Sequence, residues 1–263
     1  MTHSVAQLQR AGLRLDIDAQ PRGAVATITL DRPERRNAMT PSMWRGLAHI
    51  GTSLPRGVRI VVVRGAGPSF SAGLDRRLLA AEGVQGEEGF PDLTDPGLED
   101  WIATVQEGFT WLRRPDFVSI AAVQGHAIGG GFQLALACDL RLLADDAKLS
   151  MKEPALGLVP DLTGTKPLVD IVGLPRAIEL CLTTRTIDAT EARELRLAEL
   201  VVPRADLDAA VTDLVAALLA TDAAAARSTK ALLQLAPGHT LAEQAAAERR
   251  AQAELQRRRF AKG

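Results

Sequence analysis

The stretch Ala122-Val123-Gln124-Gly125-His126-Ala127-Ile128-Gly129-Gly130-Gly131-Phe132-Gln133 decides how the chain is read, because three consecutive glycines separate two hydrophobic patterns. Before them, Val118 to Val123 is an apolar run of strand character. After them, Phe132-Gln133-Leu134-Ala135-Leu136-Ala137 reads as a helix. Glycine lets a backbone N–H approach a ligand with no Cβ in the way, and the first N–H groups of a helix have no partner within it. Such a junction accommodates an anion. It equally suits a thioester oxygen that becomes an enolate, because the fixed N–H and the helix dipole both favour the developing charge. The same glycines also fit a plain tight connection, so the reading needs support from elsewhere in the chain.

A second turn supplies it. Phe70-Ser71-Ala72-Gly73-Leu74-Asp75 follows the strand-like Ile60-Val61-Val62-Val63-Arg64 and leads toward a helix, offering a second backbone N–H. Near the start lies Asp31-Arg32-Pro33-Glu34-Arg35-Arg36-Asn37-Ala38, and beyond the helix lies Glu153-Pro154-Ala155-Leu156-Gly157-Leu158-Val159-Pro160. Taken in this order, from about Leu13 to about Pro203, the four motifs resemble the enoyl-CoA hydratase/isomerase (crotonase) family.

The resemblance implies an α/β fold of the crotonase/ClpP-like type, a spiral of repeated ββα units. It implies an acyl-CoA-binding core over residues 1–200 and a C-terminal helical oligomerisation region over 201–263, assembling as a homotrimer or as a hexamer of two trimers. The substrate is then an unsaturated acyl-CoA thioester, and no cofactor is needed besides the coenzyme A of the substrate. The family's two oxyanion donors map onto the N–H groups of Leu74 and Gly130. Losing one such donor costs about 100-fold or more in rate. CoA contacts map onto Arg32 and Arg36 (or Arg35) in the basic turn, and onto Ala72, Gly73 and Asp75 in the second turn. The arginines are equally open to reading as solvated loop charges.

The catalytic side chains depart from the hydratase pattern. Family hydratases carry glutamates at the positions matching Gln133 and Glu153, and the pair activates one water. A carboxamide holds a water but neither accepts nor returns a proton at neutral pH, so Gln133 removes half of that apparatus and Glu153 remains. Asp161 matches the additional acid of the family's dienoyl-CoA isomerases, although those enzymes also have an acid at the Gln133 position. Asp161 is also suited to capping a helix that begins near Thr163. His126, four residues before Gly130, is read as packing beside the pocket. Three functions remain in view: isomerisation or hydration of an acyl-CoA, other chemistry of the family such as thioester hydrolysis or C–C cleavage, and a non-catalytic acyl-CoA-binding subunit.

Outward from these motifs, Leu13 to Ile17 and Ala24 to Leu30 read as a hairpin around Pro21-Arg22-Gly23, and Thr40-Pro41 as a helix start with Met43, Leu47 and Ile50 on one face. Residues 81–97 are rich in glycine and acid, with no Lys or Arg between Arg77 and Arg113, and read as a mobile acidic loop over the acyl end of the pocket or as an inert insertion. Trp101, Val105, Phe109 and Leu112 mark an amphipathic helix facing the core. Pro154 places Glu153 at a strand-to-loop junction and ends any helix there. From Leu174 on, the pattern is helical, with Asp188 as a cap. The stripe Leu207, Val211, Leu214, Leu218 is expected to need a neighbouring chain to cover it.

The 263 residues, 46% of them hydrophobic, support a substantial core. A net charge of −1 gives no bias toward nucleic acid or an anionic membrane, and the arginines near the end, Arg249 to Arg259, are interleaved with Ala, Gln and Glu as on a solvated helix face. Cys138 and Cys181 read as free thiols in a reducing compartment. No apolar leader is recognised in Met1 to Leu15, no window reaches the ~20 apolar residues of a membrane span, and the expected location is the cytoplasm. No cluster has metal-ligand spacing.

Overall fold

The computed structural model describes residues 5–80, 83–87, 89–90 and 96–260. Residues 81–82, 88 and 91–95 of the expected acidic loop lie outside the described residues. The strands are β1 (Leu13–Asp18), β2 (Ala24–Leu30), β3 (Val58–Gly65), β4 (Val118–Val123), β5 (His126–Ile128), β6 (Leu140–Ala144), β7 (Lys148–Ser150), β8 (Ile187–Asp188) and β9 (Leu200–Val202). The helices are α1 (Val5–Arg10), α2 (Pro41–Ser53), α3 (Leu98–Thr110), α4 (Gly130–Ala137), α5 (Thr165–Val172), α6 (Leu174–Thr183), α7 (Ala189–Glu194), α8 (Leu207–Leu219), α9 (Ala223–Leu235) and α10 (Leu241–Phe260).

The expected hairpin is present, with Leu13 opposite Leu30, and from β2 onward the main sheet is parallel in the order β1-β2-β3-β4-β6-β9. A smaller sheet, β5-β7-β8, carries the segment that runs into the glycine triplet, β5, and the one that leads to Glu153, β7. The crossovers of a parallel sheet cover both its faces, so its strands must be apolar on both sides. Val61, Val63, Ala121, Val123 and Leu143 accordingly enter the main core with Met43, Leu47 and Ile50 of α2, Val105 and Phe109 of α3, and the whole of α4. Their neighbours Ile60, Val62, Ile120, Ala122, Leu142 and Ala144 enter a second cluster on the opposite face. Thr40 accepts a hydrogen bond from the Met43 N–H and Pro41 opens α2, so that helix starts as its sequence dictates.

One expectation is corrected here. The stripe of α8 does not wait for a neighbouring chain, because Leu207 is buried and Val211, Leu214 and Leu218 pack on that second cluster. The open face of a parallel sheet is itself apolar and requires a helix, and α8 supplies it. The residue 200/201 boundary falls inside β9, which pairs with β6. What remains thinly covered is the end of the chain: α9 has no fully buried residue, and α10 buries only Ala247. Lys230 of α9 ties it to the core by donating to the carbonyls of Arg114 (2.7 Å) and Phe117 (2.8 Å) and to Asp139 (2.6 Å). Among the described residues no single helix is long and apolar enough to cross a membrane.

Candidate active site

The site grows from backbone segments pressed against one another. Ser71 and Ala127 form a parallel bridge, in which the Ser71 N–H donates to the His126 carbonyl (2.8 Å) and the Ile128 N–H to the Ser71 carbonyl (2.9 Å). Gly129 then donates to Ser150 of β7 (2.8 Å), which brings the chain leading to Glu153 alongside the glycine triplet. These approaches leave no room for side chains. A Cβ on Gly73, at φ +78°, would lie 2.3 Å from the Ile128 carbonyl oxygen, and one on Gly131 would lie 2.7 Å from that of Ser71.

The turn Phe70 to Asp75 is fixed by residues whose role is not legible in the sequence. Asn37 is fully buried with φ +54° and donates to the carbonyls of Ala66 (2.9 Å) and Ser69 (2.8 Å). The Ser71 hydroxyl donates to the Asn37 carbonyl (2.8 Å) and accepts from the Gly73 N–H (3.1 Å). Asparagine's tolerance of left-handed backbone is the one local signal that marks Asn37. The N–H groups of Ala72 and Asp75 donate to the carbonyls of Arg36 (2.8 Å) and Met39 (2.9 Å), and Met39 donates back to Gly73 (2.7 Å). A parallel bridge uses alternate residues, so Leu74 turns its own N–H to the other side, where no protein partner meets it among the described residues. The Gly130 N–H is the first of α4 and has no partner within the helix. A Cβ on Gly73 would stand 3.4 Å from the Gly130 nitrogen, so the two turns adjoin.

Glu153 follows β7 as expected, but it opens a single 3-10 turn, Glu153–Leu156, where a loop was anticipated. Pro154 is tolerated because the early N–H groups of a helix have no internal partner. The carboxylate is buried against Gly129, where a Cβ would come within 3.0 Å of Oε1. Its Oε1 accepts from Gln133 Nε2 (2.7 Å), whereas Oε2 is buried with no hydrogen-bond partner among the described residues. Gln133 is fully buried on α4, and its Oε1 accepts from the N–H groups of Leu162 (2.9 Å) and Gly164 (3.1 Å). Burial pushes the Glu153 carboxyl above the ordinary carboxylate range, against the Gln133 bond that favours the anion, and the charge of Asp161 adds to the rise. Burial raises Asp161 as well. The helix after Asp161 begins at Thr165 behind Gly164 with no side-chain cap, so Asp161 does not take the capping role. α6 packs on the turn that carries Glu153, and Cys181 of α6 is raised by burial and by the charge of Glu153.

The expected CoA contacts divide. Arg32 turns inward, donating to the Ala38 carbonyl (2.5 Å) and pairing with Asp75 (3.2 Å). Asp75 is buried, accepts from Arg77 through both oxygens (2.9 and 2.6 Å), and is pulled down to about 2, chiefly by that bond. Both are therefore occupied in holding the turn. Arg36 is exposed, with its carbonyl on the Ala72 N–H. His126 is exposed, with Nδ1 3.3 Å from the Ser69 hydroxyl. A separate cleft of about 550 Å3 opens on the α8 face, lined by Arg14, Thr29, Arg64, Gln124 and Arg204 among others, and contains none of these site residues. Its arginines are paired with Asp16 and Asp31, with Asp208, and with Asp146. Among the described residues no group of His, Cys, Asp and Glu is placed to hold a metal ion.

Comparison with known proteins shows the family and the fold. The model of the enoyl-CoA hydratase/isomerase family matches residues 20–263. Over 224 residues the chain is 35% identical to the mitochondrial Delta(3,5)-Delta(2,4)-dienoyl-CoA isomerase of Homo sapiens, covering 83% of this chain and 68% of that one. Over 230 residues it is 34% identical to the probable enoyl-CoA hydratase echA8 of Mycobacterium tuberculosis, covering 86% and 84%. Among solved structures, a putative enoyl-CoA hydratase from Thermobifida fusca YX in complex with CoA is 59% identical with a TM-score of 0.93, covering 100% of this chain and 99% of that one. The same putative hydratase in complex with acetoacetyl-CoA also gives 59% identity and a TM-score of 0.93, covering 100% of both chains.

Proposed function

Since the chain belongs to the enoyl-CoA hydratase/isomerase family, we propose that it moves a double bond along an unsaturated acyl-CoA thioester by a proton shift, with Glu153 as the principal acid/base. The observation that carries this reading is the unequal use of the two Glu153 oxygens: Oε1 is held by Gln133, and Oε2 is buried and, among the described residues, unpartnered. The Gln133 carboxamide oxygen is already taken by two backbone N–H groups, so it is not free to hold an attacking water. One competent base beside an oxyanion pair suits proton removal better than water addition.

In this reading the thioester oxygen lies between the N–H groups of Leu74 and Gly130. Glu153 Oε2 takes a proton from a carbon whose anion is conjugated with that carbonyl, giving an enolate. A proton is returned further along the chain by Glu153 or by Asp161, so the product has the mass of the substrate. The coenzyme A runs over Ala72, Gly73 and the exposed Arg36, while Arg32 and Asp75 keep the turn in shape. The reaction uses no further cofactor. The exposed apolar residues of α9 and α10 support assembly as a homotrimer or a hexamer of two trimers, and the free thiols Cys138 and Cys181 support a cytoplasmic enzyme.

The test is a panel of 2-enoyl-, 3-enoyl- and 3,5-dienoyl-CoA thioesters followed by ultraviolet absorbance and mass. Unchanged mass with altered conjugation is the expected outcome. Water addition is the second reading, favoured by the description of the Thermobifida fusca relative as a putative hydratase. A product heavier by one water, formed faster than any isomer, would establish it and discard the isomerase.

A further inference from the structure

Thr163 has φ +66°, a backbone conformation that β-branched residues rarely adopt. It sits between the two residues whose N–H groups converge on Gln133 Oε1, Leu162 at 2.9 Å and Gly164 at 3.1 Å. For N–H groups two residues apart to aim at one acceptor, the intervening residue must reverse the chain locally, and the left-handed Thr163 does this. The surroundings hold the turn in place. Gln106 of α3 donates from Nε2 to the Asp161 carbonyl (2.7 Å), Leu162 is buried, and a Cβ on Gly164 would lie 2.6 Å from Gln133 Cγ. Two N–H donors on one atom also fix which end of the carboxamide is oxygen, so the nitrogen must face Glu153.

We infer that the turn from Asp161 to Gly164 is a clamp on the catalytic carboxylate, in which Thr163 and Gln106 are positioning residues that act through Gln133 to aim Oε2 of Glu153. The inference rests on the reading of Glu153 as the acid/base. A chain of contacts runs from the Gln106 side chain to the Asp161 carbonyl, through the turn to Gln133 Oε1, and from Gln133 Nε2 to Glu153 Oε1. It makes Gln133 a donor toward Glu153 and never an acceptor, so one glutamate oxygen is held and the other stays available. The other titratable groups set against Glu153 are Asp161 on this turn and Cys181 on α6.

The experiment uses the full-length protein carrying 13C at its glutamate carboxyl groups, with the Glu153 resonance identified by its loss in Glu153→Gln. Its titration midpoint is compared between wild type and variants that leave Asp161 and Cys181 in place. Gln133→Met should move the midpoint upward, because a donor to the anion is lost, and Gln106→Met should move it the same way by less. Gln106→Met should also lower kcat about tenfold while KM for the thioester stays within about twofold, since misplacement of a reacting group acts on the chemical step. Thr163→Asn tolerates left-handed backbone and keeps the wild-type midpoint, whereas Thr163→Pro, locked near a φ of about −65°, shifts it. If Gln133→Met or Thr163→Pro fails to fold, Gln106→Met at the outer end of the chain of contacts decides. Unchanged midpoints with only a lower melting temperature would overturn the clamp. A shifted midpoint in a protein that isomerises no thioester would sustain the clamp and remove the isomerase reading instead.

Discussion

Two helices of this protein, α4 and α10, are specified in opposite ways. All eight residues of α4 are buried, and the helix starts behind Gly129 with no capping side chain. Its existence depends on contacts with distant segments: Ser71 against Gly131, Ser150 on Gly129, and the 161–164 turn on Gln133. In α10, twenty residues long, only Ala247 is fully buried. That helix is set by its own sequence. Thr240 and Glu243 form a reciprocal cap, with the Thr240 N–H donating to the Glu243 carboxylate (2.8 Å) and the Glu243 N–H to the Thr240 hydroxyl (3.3 Å). The contrast separates a buried region fixed by distant contacts, where the proposed acid/base is held, from an exposed one where substitutions are expected to be absorbed.

The largest effect should come from the carboxylate that α4 helps to hold. Glu153→Gln keeps the shape and the contact with Gln133 but removes the base, so turnover should fall by about 1000-fold. Binding of CoA should survive, because no CoA contact is altered, and isothermal titration alongside turnover measures both. Activity retained within tenfold would mean that the proton is taken by another group.

Next in size is Gly73→Ala. Its φ of +78° disfavours any side chain, and the new Cβ would meet the Ile128 carbonyl at 2.3 Å. The two turns would be pushed apart. Displacing one N–H donor predicts a loss of about 100-fold in kcat, with a lower melting temperature. A fully active Gly73→Ala would place the oxyanion contact elsewhere.

These two residues were legible in the sequence because their signals are local: a glycine triplet, a small-residue turn, and a glutamate before proline. What escaped is non-local. Asn37 meets Ala66 and Ser69, about thirty residues away, and Gln106 meets Asp161 across 55 residues. Arg32 and Asp75 pair with each other, and two charged residues 43 positions apart carry no sign in the sequence that they face one another. The α8 stripe was seen, yet periodicity shows only that a helix has an apolar face, and the face of the main sheet that covers it lay in other segments. Thr163 had no signal at all, since left-handed threonine is imposed by its neighbours.

A smaller effect sharpens the contrast through pH. Burial raises Glu153 in the folded protein above its unfolded value, so the native state binds that proton more tightly. The sign follows: Glu153 disfavours folding increasingly as pH rises from the ordinary carboxylate range through its raised value, and contributes no penalty below that range. Glu153→Gln should therefore melt higher than wild type at pH 7 to 8, by about 2–4 °C for each kcal/mol relieved, and the two curves should meet near pH 4. Activity should run the other way, rising with pH as Glu153 ionises. A Glu153→Gln protein that melts below wild type at neutral pH would show that the buried carboxylate is not under strain.

The smallest effect on the single chain, and the one that tests the other side of the comparison, belongs to the terminal helices. Leu241 is 87% exposed, and Leu233 and Phe260 are also largely uncovered. Replacing an exposed leucine changes the stability of its own chain by no more than about 0.5 kcal/mol. Leu241→Gln should thus leave the unfolding of an isolated chain nearly unchanged. If a second copy covers this surface, each buried leucine contributes on the order of 2 kcal/mol to the interface, and the loss recurs at every symmetry-related contact. Light scattering across a dilution series should then show Leu241→Gln, or the double variant with Leu233→Gln, dissociating at higher protein concentration than wild type while secondary structure is kept. Wild type that scatters as a monomer at micromolar concentration would remove the oligomer from the proposal. It would also leave α10 a helix held by its cap and its own propensity.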